Sequence, residues 1–132
     1  MAAFAVGRSG GRPGKLYEDL TAKLVAFAEF EFELDKVVDG STQREHLKGM
    51  WERTGVMPKT LANAPRCPAG LSYLWSLFLR LRRRCTPSMG VSRILYSDMA
   101  AFQAVTGIRL SPWEADAIER LDDALVEARA SK

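Results

Sequence analysis

The residues of this chain that could do chemistry are few and far apart. His46 is the only histidine, and it follows Glu45 without the second histidine that a zinc-binding HExxH motif requires. Cys67 and Cys85 have a spacing that no zinc module uses, so we expect two free thiols. No glycine-rich phosphate loop joins a predicted strand to a helix. We therefore predict no catalytic residue, no metal site and no cofactor.

Positive charge is concentrated in one cluster that no acidic residue interrupts. Such a cluster can contact phosphates, so one interpretation is a small nucleic-acid-binding regulator with a neighbouring aromatic side chain for stacking. A second is internal pairing with the last predicted helix, whose carboxylates at i, i+4 and i+8 would otherwise repel one another. The net charge of +3 is too small to decide for nucleic acid, and the internal or solvated interpretation is favoured. The cluster comprises Arg80, Arg82, Arg83 and Arg84, and the carboxylates are Glu119, Asp123 and Glu127.

A protein partner is the third possible role for this cluster. Large aromatic side chains are common anchors at protein interfaces, although each of Trp51, Trp75 and Trp113 is more simply explained as core. We expect Trp113, in the first turn of its helix, to be the most exposed of the three. The predicted partner-binding residues are Arg80, Arg82, Arg83, Arg84 and Trp113.

Length and composition indicate one small globular domain. A chain of 132 residues can bury roughly two-thirds of its unfolded surface and needs no metal or disulfide to fold. Residues 1–14 are rich in glycine, and we expect a flexible tail there, followed by a single helical domain over 15–132. No apolar run approaches the ~20 residues of a membrane span, and the start does not resemble a secretory signal, so we expect a cytoplasmic protein.

Helical spacing of apolar residues predicts an all-α fold, with four main helices and a short fifth. The first segment runs from Lys15 to about Val38. Residues 28–34 alternate strictly between polar and apolar, so an edge strand remains an alternative there. Asp39-Gly40 is a break, and Thr42 with Glu45 forms a capping box for the next helix. The stretch from Gly70 to Arg84 is the most apolar and should be the central helix.

One junction follows the rules of helix ends at almost every position. Gly107 can adopt the left-handed conformation that closes a helix. Ser111 can cap the next helix, Pro112 suits its first position, and Glu114 can complete a capping box. These residues predict a rigid junction that holds Trp113 in one place.

A set of short motifs follows in a fixed order along the chain. They are Arg44-Glu45-His46-Leu47, Trp51, Thr54-Gly55-Val56-Met57-Pro58, Tyr73-Leu74-Trp75 with Phe78, Gly90 followed by Arg93-Ile94, Tyr96-Ser97-Asp98, Thr106-Gly107, Leu110-Ser111-Pro112-Trp113-Glu114, Ala117-Ile118 and Leu121-Asp122. Their order resembles a family of small proteins from the tail-morphogenesis region of long-tailed bacteriophages and prophages, the tail assembly chaperones. The resemblance covers about residues 42–128.

The resemblance implies a role without catalysis. Such chaperones are thought to bind the tape measure protein in the host cytoplasm and hold it soluble while tail tube subunits polymerise around it. The implied partners are thus the tape measure protein and the tail tube protein, with no membrane. The arginine-rich segment after the predicted central helix departs from the family, whose relatives have a longer, glycine-rich connector there.

Overall fold

The computed structural model describes residues 14–85 and 92–130. The predicted tail falls outside the described residues except for Gly14. Residues 86–90, whose proline and glycine predict a loop, also fall outside them. The secondary structure comprises α1 (Gly14–Leu34), β1 (Val37–Val38), β2 (Ser41–Thr42), α2 (Gln43–Thr54), α3 (Lys59–Ala62), a 3₁₀ turn (Ala69–Leu71), α4 (Ser72–Arg84), α5 (Tyr96–Thr106) and α6 (Pro112–Ala130).

The chain is mostly helical, as predicted, with one small two-stranded sheet. The described ranges contain five helices of eleven residues or more and one of four residues, so the predicted count of four main helices and a short fifth is too low. None of these helices has the length and apolarity that a membrane span requires.

The segment with conflicting helix and strand patterns is helical. Residues 28–34 lie within α1, whose helix ends at Leu34 rather than near Val38. Strands β1 and β2 follow it, and Asp39 and Gly40 between them both have positive φ (52° and 86°). Two such residues form the tight turn that pairs antiparallel strands, here with Val38 opposite Ser41. The predicted break is therefore the turn of a β-hairpin (residues 37–42).

Helices α1, α4 and α6 run in the same direction. Near the start of α1 and α6, the rings of Tyr17 and Trp113 stack with their centroids 4.5 Å apart. Near the start of α4, the hydroxyl of Tyr73 donates a hydrogen bond to Glu114 of α6. Parallel helices need a long return connection between them. The hairpin with α2 and α3 makes the first return, and α5 makes the second.

The core lies where these three helices meet, with α5 covering one side. Phe78 and Leu74 of α4 are fully buried, as are Leu24 of α1 and Leu121 of α6. Phe32, Trp75 and Phe78 form an aromatic cluster between α1 and α4, with ring centroids 5.7–6.1 Å apart. The prediction of α4 as a central helix is confirmed, although Tyr73 and Leu79 remain exposed on its outer side.

Most predicted helix ends are confirmed. Thr42 and Glu45 form the reciprocal capping box of α2, with hydrogen bonds of 2.8 Å and 3.1 Å. Gly107 closes α5 with φ 76°. This left-handed conformation is unfavourable for any residue that has a Cβ atom, so glycine is preferred there. The sequence also predicts Ser97 as the cap at the start of α5, and this prediction is wrong. Helix α5 begins at Tyr96, and the carboxylate of Asp98 accepts the backbone N–H of Leu95 at 2.7 Å.

Candidate partner-binding surface

Arg82 points into the protein instead of toward solvent. Its Nη1 donates to the Oδ1 of Asp122 at 2.7 Å and to the carbonyl of Ser92 at 2.9 Å. The other carboxylate oxygen of Asp122 accepts the backbone N–H of Ile94 at 2.9 Å. Only 11% of the Arg82 side chain and 6% of the Asp122 side chain are exposed. This buried network joins α4, α6 and the segment that leads into α5.

The arginine cluster therefore divides into one internal cation and three outer ones. The guanidinium of Arg80 lies over the ring of Phe102 of α5, 5.2 Å from its centroid. Arg83 and Arg84 are exposed. The predicted internal pairing with α6 exists, but its carboxylate is Asp122, whereas Asp123 pairs with Arg93 at 2.7 Å. A test of the cluster as a contact surface should use Arg83 and Arg84, since a change at Arg82 also disturbs the interior.

In the junction before α6, the Glu114 half of the predicted capping box is present. One Glu114 oxygen accepts both the backbone N–H and the hydroxyl of Ser111, at 2.9 Å and 3.0 Å. The other oxygen accepts the hydroxyl of Tyr73, which fixes the start of α4 to the start of α6. Trp113 is partly buried, packs against the core and stacks on Tyr17. It is therefore held in one place, with part of its surface accessible.

The environment of Tyr73 gives a prediction about pH. Tyr73 is 43% exposed, and the partial burial of its side chain, with the hydrogen bond to the Glu114 carboxylate as a second cause, raises its pKa above the ordinary value near 10. The folded state thus holds this proton more tightly than the unfolded state, so the contribution of Tyr73 to stability is complete below about pH 10 and declines at higher pH.

Ultraviolet absorbance titration of the wild type and of Tyr73→Phe checks this prediction. Their difference should show one tyrosine that ionises above the ordinary range. A difference that titrates at or below pH 10 would contradict the geometry of the junction.

Within the described residues, no side chain of α2 or α3 belongs to the hydrophobic core. We call residues 43–62 the arm. Its sole buried side chain is Leu47. Four large apolar side chains on or beside α2 are exposed, and we call them the apolar patch. They are Met50 (45% exposed), Trp51 (42%), Val56 (68%) and Met57 (42%).

The patch corrects two expectations from sequence. Met50 and Trp51 have the spacing of an inward-facing stripe with Leu47, yet of these three side chains only Leu47 is buried. Trp51, and not Trp113, is the most exposed tryptophan of the described residues. One signal in the sequence pointed to this, since Lys48, Glu52 and Arg53 interleave with the apolar residues and leave α2 only a narrow apolar face.

The arm contacts α1 and the hairpin through two polar side chains at the start of α2. Arg44 donates to Glu31 at 2.9 Å and to Asp35 at 3.2 Å, both on or next to α1. The ring of His46 donates through Nε2 to the carbonyl of Val38 in the hairpin. These contacts orient α2, which carries the first part of the apolar patch, relative to α1.

The side chains with reactive groups are dispersed in the described part of the chain. Both cysteines are free, and burial raises the pKa of the Cys67 thiol, which makes it a poorer nucleophile. Cys67 packs against the core. Across residues 14–85 and 92–130, no three His, Cys, Asp or Glu side chains lie close enough together to hold a metal ion.

Comparison with protein families identifies the chain. A family model described as phage tail assembly chaperone matches residues 50–127, which is more than half of the sequence.

The chain belongs to the phage tail assembly chaperone family.

The match agrees with the resemblance over about residues 42–128. Comparisons with curated proteins and with solved structures gave no match.

The matched region of this tail assembly chaperone contains the apolar patch, α4, the junction at Glu114 and most of α6. Helix α1 precedes it, yet Leu24, Ala28 and Phe32 of α1 are part of the same core as α4 and α6. The matched residues thus depend on α1 to bury their apolar faces.

Proposed function

We propose that this tail assembly chaperone acts without catalysis, binds the tape measure protein of its phage and keeps it soluble in the host cytoplasm until tail tube subunits polymerise around it. The family match over residues 50–127 is the observation that carries the proposal. The tail tube protein is a second expected partner, since assembly of the tube must displace the chaperone.

The arrangement of the surface supports this function in two ways. A chaperone that holds another protein needs exposed apolar surface, and the apolar patch supplies it on an arm that contacts α1 and the hairpin. Such surface must also remain exposed after the chaperone itself has folded. Here the core is completed by α1, α4, α5 and α6 without help from the patch, so the patch stays accessible.

Co-expression with the tape measure protein from the same genome tests the proposal. We expect the soluble fraction of the tape measure protein to rise severalfold when the chaperone is present, and the two to purify together. Equal solubility with and without the chaperone would contradict the proposed function. Co-expression with an unrelated small helical protein controls for effects of expression load.

The nucleic-acid alternative receives less support from the structure. Arg82 is enclosed by Asp122 and the carbonyl of Ser92, and Arg80 covers Phe102. Only Arg83 and Arg84 of the cluster extend outward without such contacts. Two adjacent cations provide little of the neutralisation that binding to a phosphate backbone requires.

A further inference from the structure

The arm carries unbalanced charge around the apolar patch. Its acidic residues are Glu45 and Glu52, and its basic residues are Arg44, Lys48, Arg53 and Lys59. Glu45 is engaged in the capping box, and Arg44 is engaged with α1. Elsewhere on the arm, Lys48, Arg53 and Lys59 make no ion pair with any residue in the described ranges. The patch is therefore bordered by three available cations and one available carboxylate.

We propose that the arm is the docking site for the tape measure protein, and that it binds segments whose apolar side chains are flanked by Asp and Glu. This inference rests on the proposed function and adds the surface and the chemistry of the bound segment. The apolar patch would cover the apolar side chains, while Lys48, Arg53 and Lys59 would face the flanking carboxylates. Complementary charge of this kind fixes the register of the bound segment on the arm and disfavours the binding of basic segments.

The residue types of the patch suit a surface that must accept many related sequences. Methionine has an unbranched, flexible side chain that adapts to irregular shapes, and Met50 and Met57 lie at the two ends of the patch. Trp51 supplies a large rigid surface, the kind of side chain that most often dominates binding energy. Met50 and Trp51 lie on the last turns of α2, and Val56 and Met57 follow after Gly55, whose φ is 73°. The patch therefore spans a helix and the turn beyond it.

Position in the fold also favours this surface over other exposed apolar residues. Val105, which is 85% exposed on α5, and Leu16 near the start of α1 stand alone, and Val37–Val38 and Leu95–Tyr96 are adjacent exposed pairs without further exposed apolar residues next to them in sequence. Single exposed apolar residues of this kind are normal on a protein surface. The apolar patch instead places four of them within eight residues, on an element that adds just one buried side chain to the protein.

Affinity purification of the tagged chaperone, co-expressed with the tape measure protein, tests this assignment. The readout is the molar ratio of tape measure protein to chaperone in the eluate. We expect the apolar double variant W51S/M57S to lower this ratio about tenfold or more, as loss of a dominant anchor does. The charge variant K48E/K59E should lower it as well, and high salt should weaken capture by the wild type. The control Val105→Ser removes an apolar side chain that is more exposed than those of the patch and lies outside the arm, and it should change the ratio less than twofold.

Thermal unfolding establishes that the variants are folded, since their substituted side chains are exposed and should leave the midpoint near that of the wild type. Undiminished capture by folded W51S/M57S would overturn the docking site and leave the proposed function intact. Capture that K48E/K59E and salt leave unchanged would overturn the acidic character of the bound segment. A wild-type dimer that W51S/M57S dissociates without loss of capture would assign the patch to self-association and also overturn the inference. Failure of the wild type to capture the tape measure protein would overturn the proposed function and this inference together.

Discussion

Replacing Asp122 with alanine is expected to lower the free energy of unfolding by about 3–5 kcal/mol, because removal of one partner leaves a buried charge uncompensated. Asp122 holds Arg82 at 2.7 Å and the backbone N–H of Ile94 at 2.9 Å, and its side chain is only 6% exposed. The variant would leave the backbone N–H of Ile94 without its acceptor, and it would leave the charge of Arg82 facing the neutral carbonyl of Ser92 instead of a carboxylate. The same change would loosen the contact between α4, α6 and the segment that enters α5.

The adjacent residue supplies a matched control. Asp123 also pairs with an arginine at 2.7 Å, but its side chain is 63% exposed and that of Arg93 is 54% exposed. Exposed pairs are worth little, so Asp123→Ala should cost less than about 1 kcal/mol. Urea unfolding of the wild type and the two variants measures the difference. Equal losses in both variants would show that burial of the Arg82–Asp122 pair does not govern its contribution.

Replacing Phe78 with alanine is expected to cost about 3–5 kcal/mol, the range for loss of a large aromatic side chain from a core. Phe78 is fully buried on α4, and its ring lies next to the rings of Phe32 of α1 and Trp75 of α4. The substitution would leave a cavity at the point where α1 meets α4. Since the matched family region depends on α1 for its core, the loss should be felt by the whole domain.

Leu79, the next residue along α4, is the control for Phe78. Its side chain is 38% exposed, so Leu79→Ala removes far less buried surface and should cost less than about 1.5 kcal/mol. Thermal unfolding followed by circular dichroism measures both variants. A Phe78→Ala protein that unfolds at the wild-type temperature would mean that α1 and α4 are not packed as described.

The features that sequence predicted well depend on neighbouring residues. The capping box of Thr42 and Glu45, the closure at Gly107 and the Ser111–Glu114 cap each need only a few adjacent positions. The Asp39-Gly40 pair belongs to the same class. Its meaning as a hairpin turn was available in the sequence, and the interpretation as a simple break was incomplete.

The features that sequence did not predict depend on which helices meet. Helical spacing cannot say that α1, α4 and α6 are parallel, and the role of Arg82 follows from that arrangement. Arg82 lies in a run of similar arginines, and only the position of Asp122 on the facing helix distinguishes it. Likewise, Trp51 has the spacing of a core residue, but 42% of its surface remains exposed. Burial is a property of the assembled helices and not of the pattern on one of them.

These observations separate the parts of the protein that maintain the fold from the part available for a partner. The buried pair, the aromatic cluster and the Tyr73–Glu114 contact join the long helices to one another. The arm contributes little to that body, yet it is fastened to α1 and the hairpin. Such a division lets a chaperone present apolar surface without loss of its own stability.

The most direct measurement of the central claim is aggregation of the purified tape measure protein after dilution from denaturant, followed by light scattering. We expect the chaperone to suppress scattering in proportion to its concentration, until a fixed molar ratio of chaperone to tape measure protein is reached. The effect should saturate because each bound chaperone protects one site and does not turn over. W51S/M57S should protect much less at every ratio. Scattering that is unaffected by the wild-type chaperone at any ratio would contradict the account.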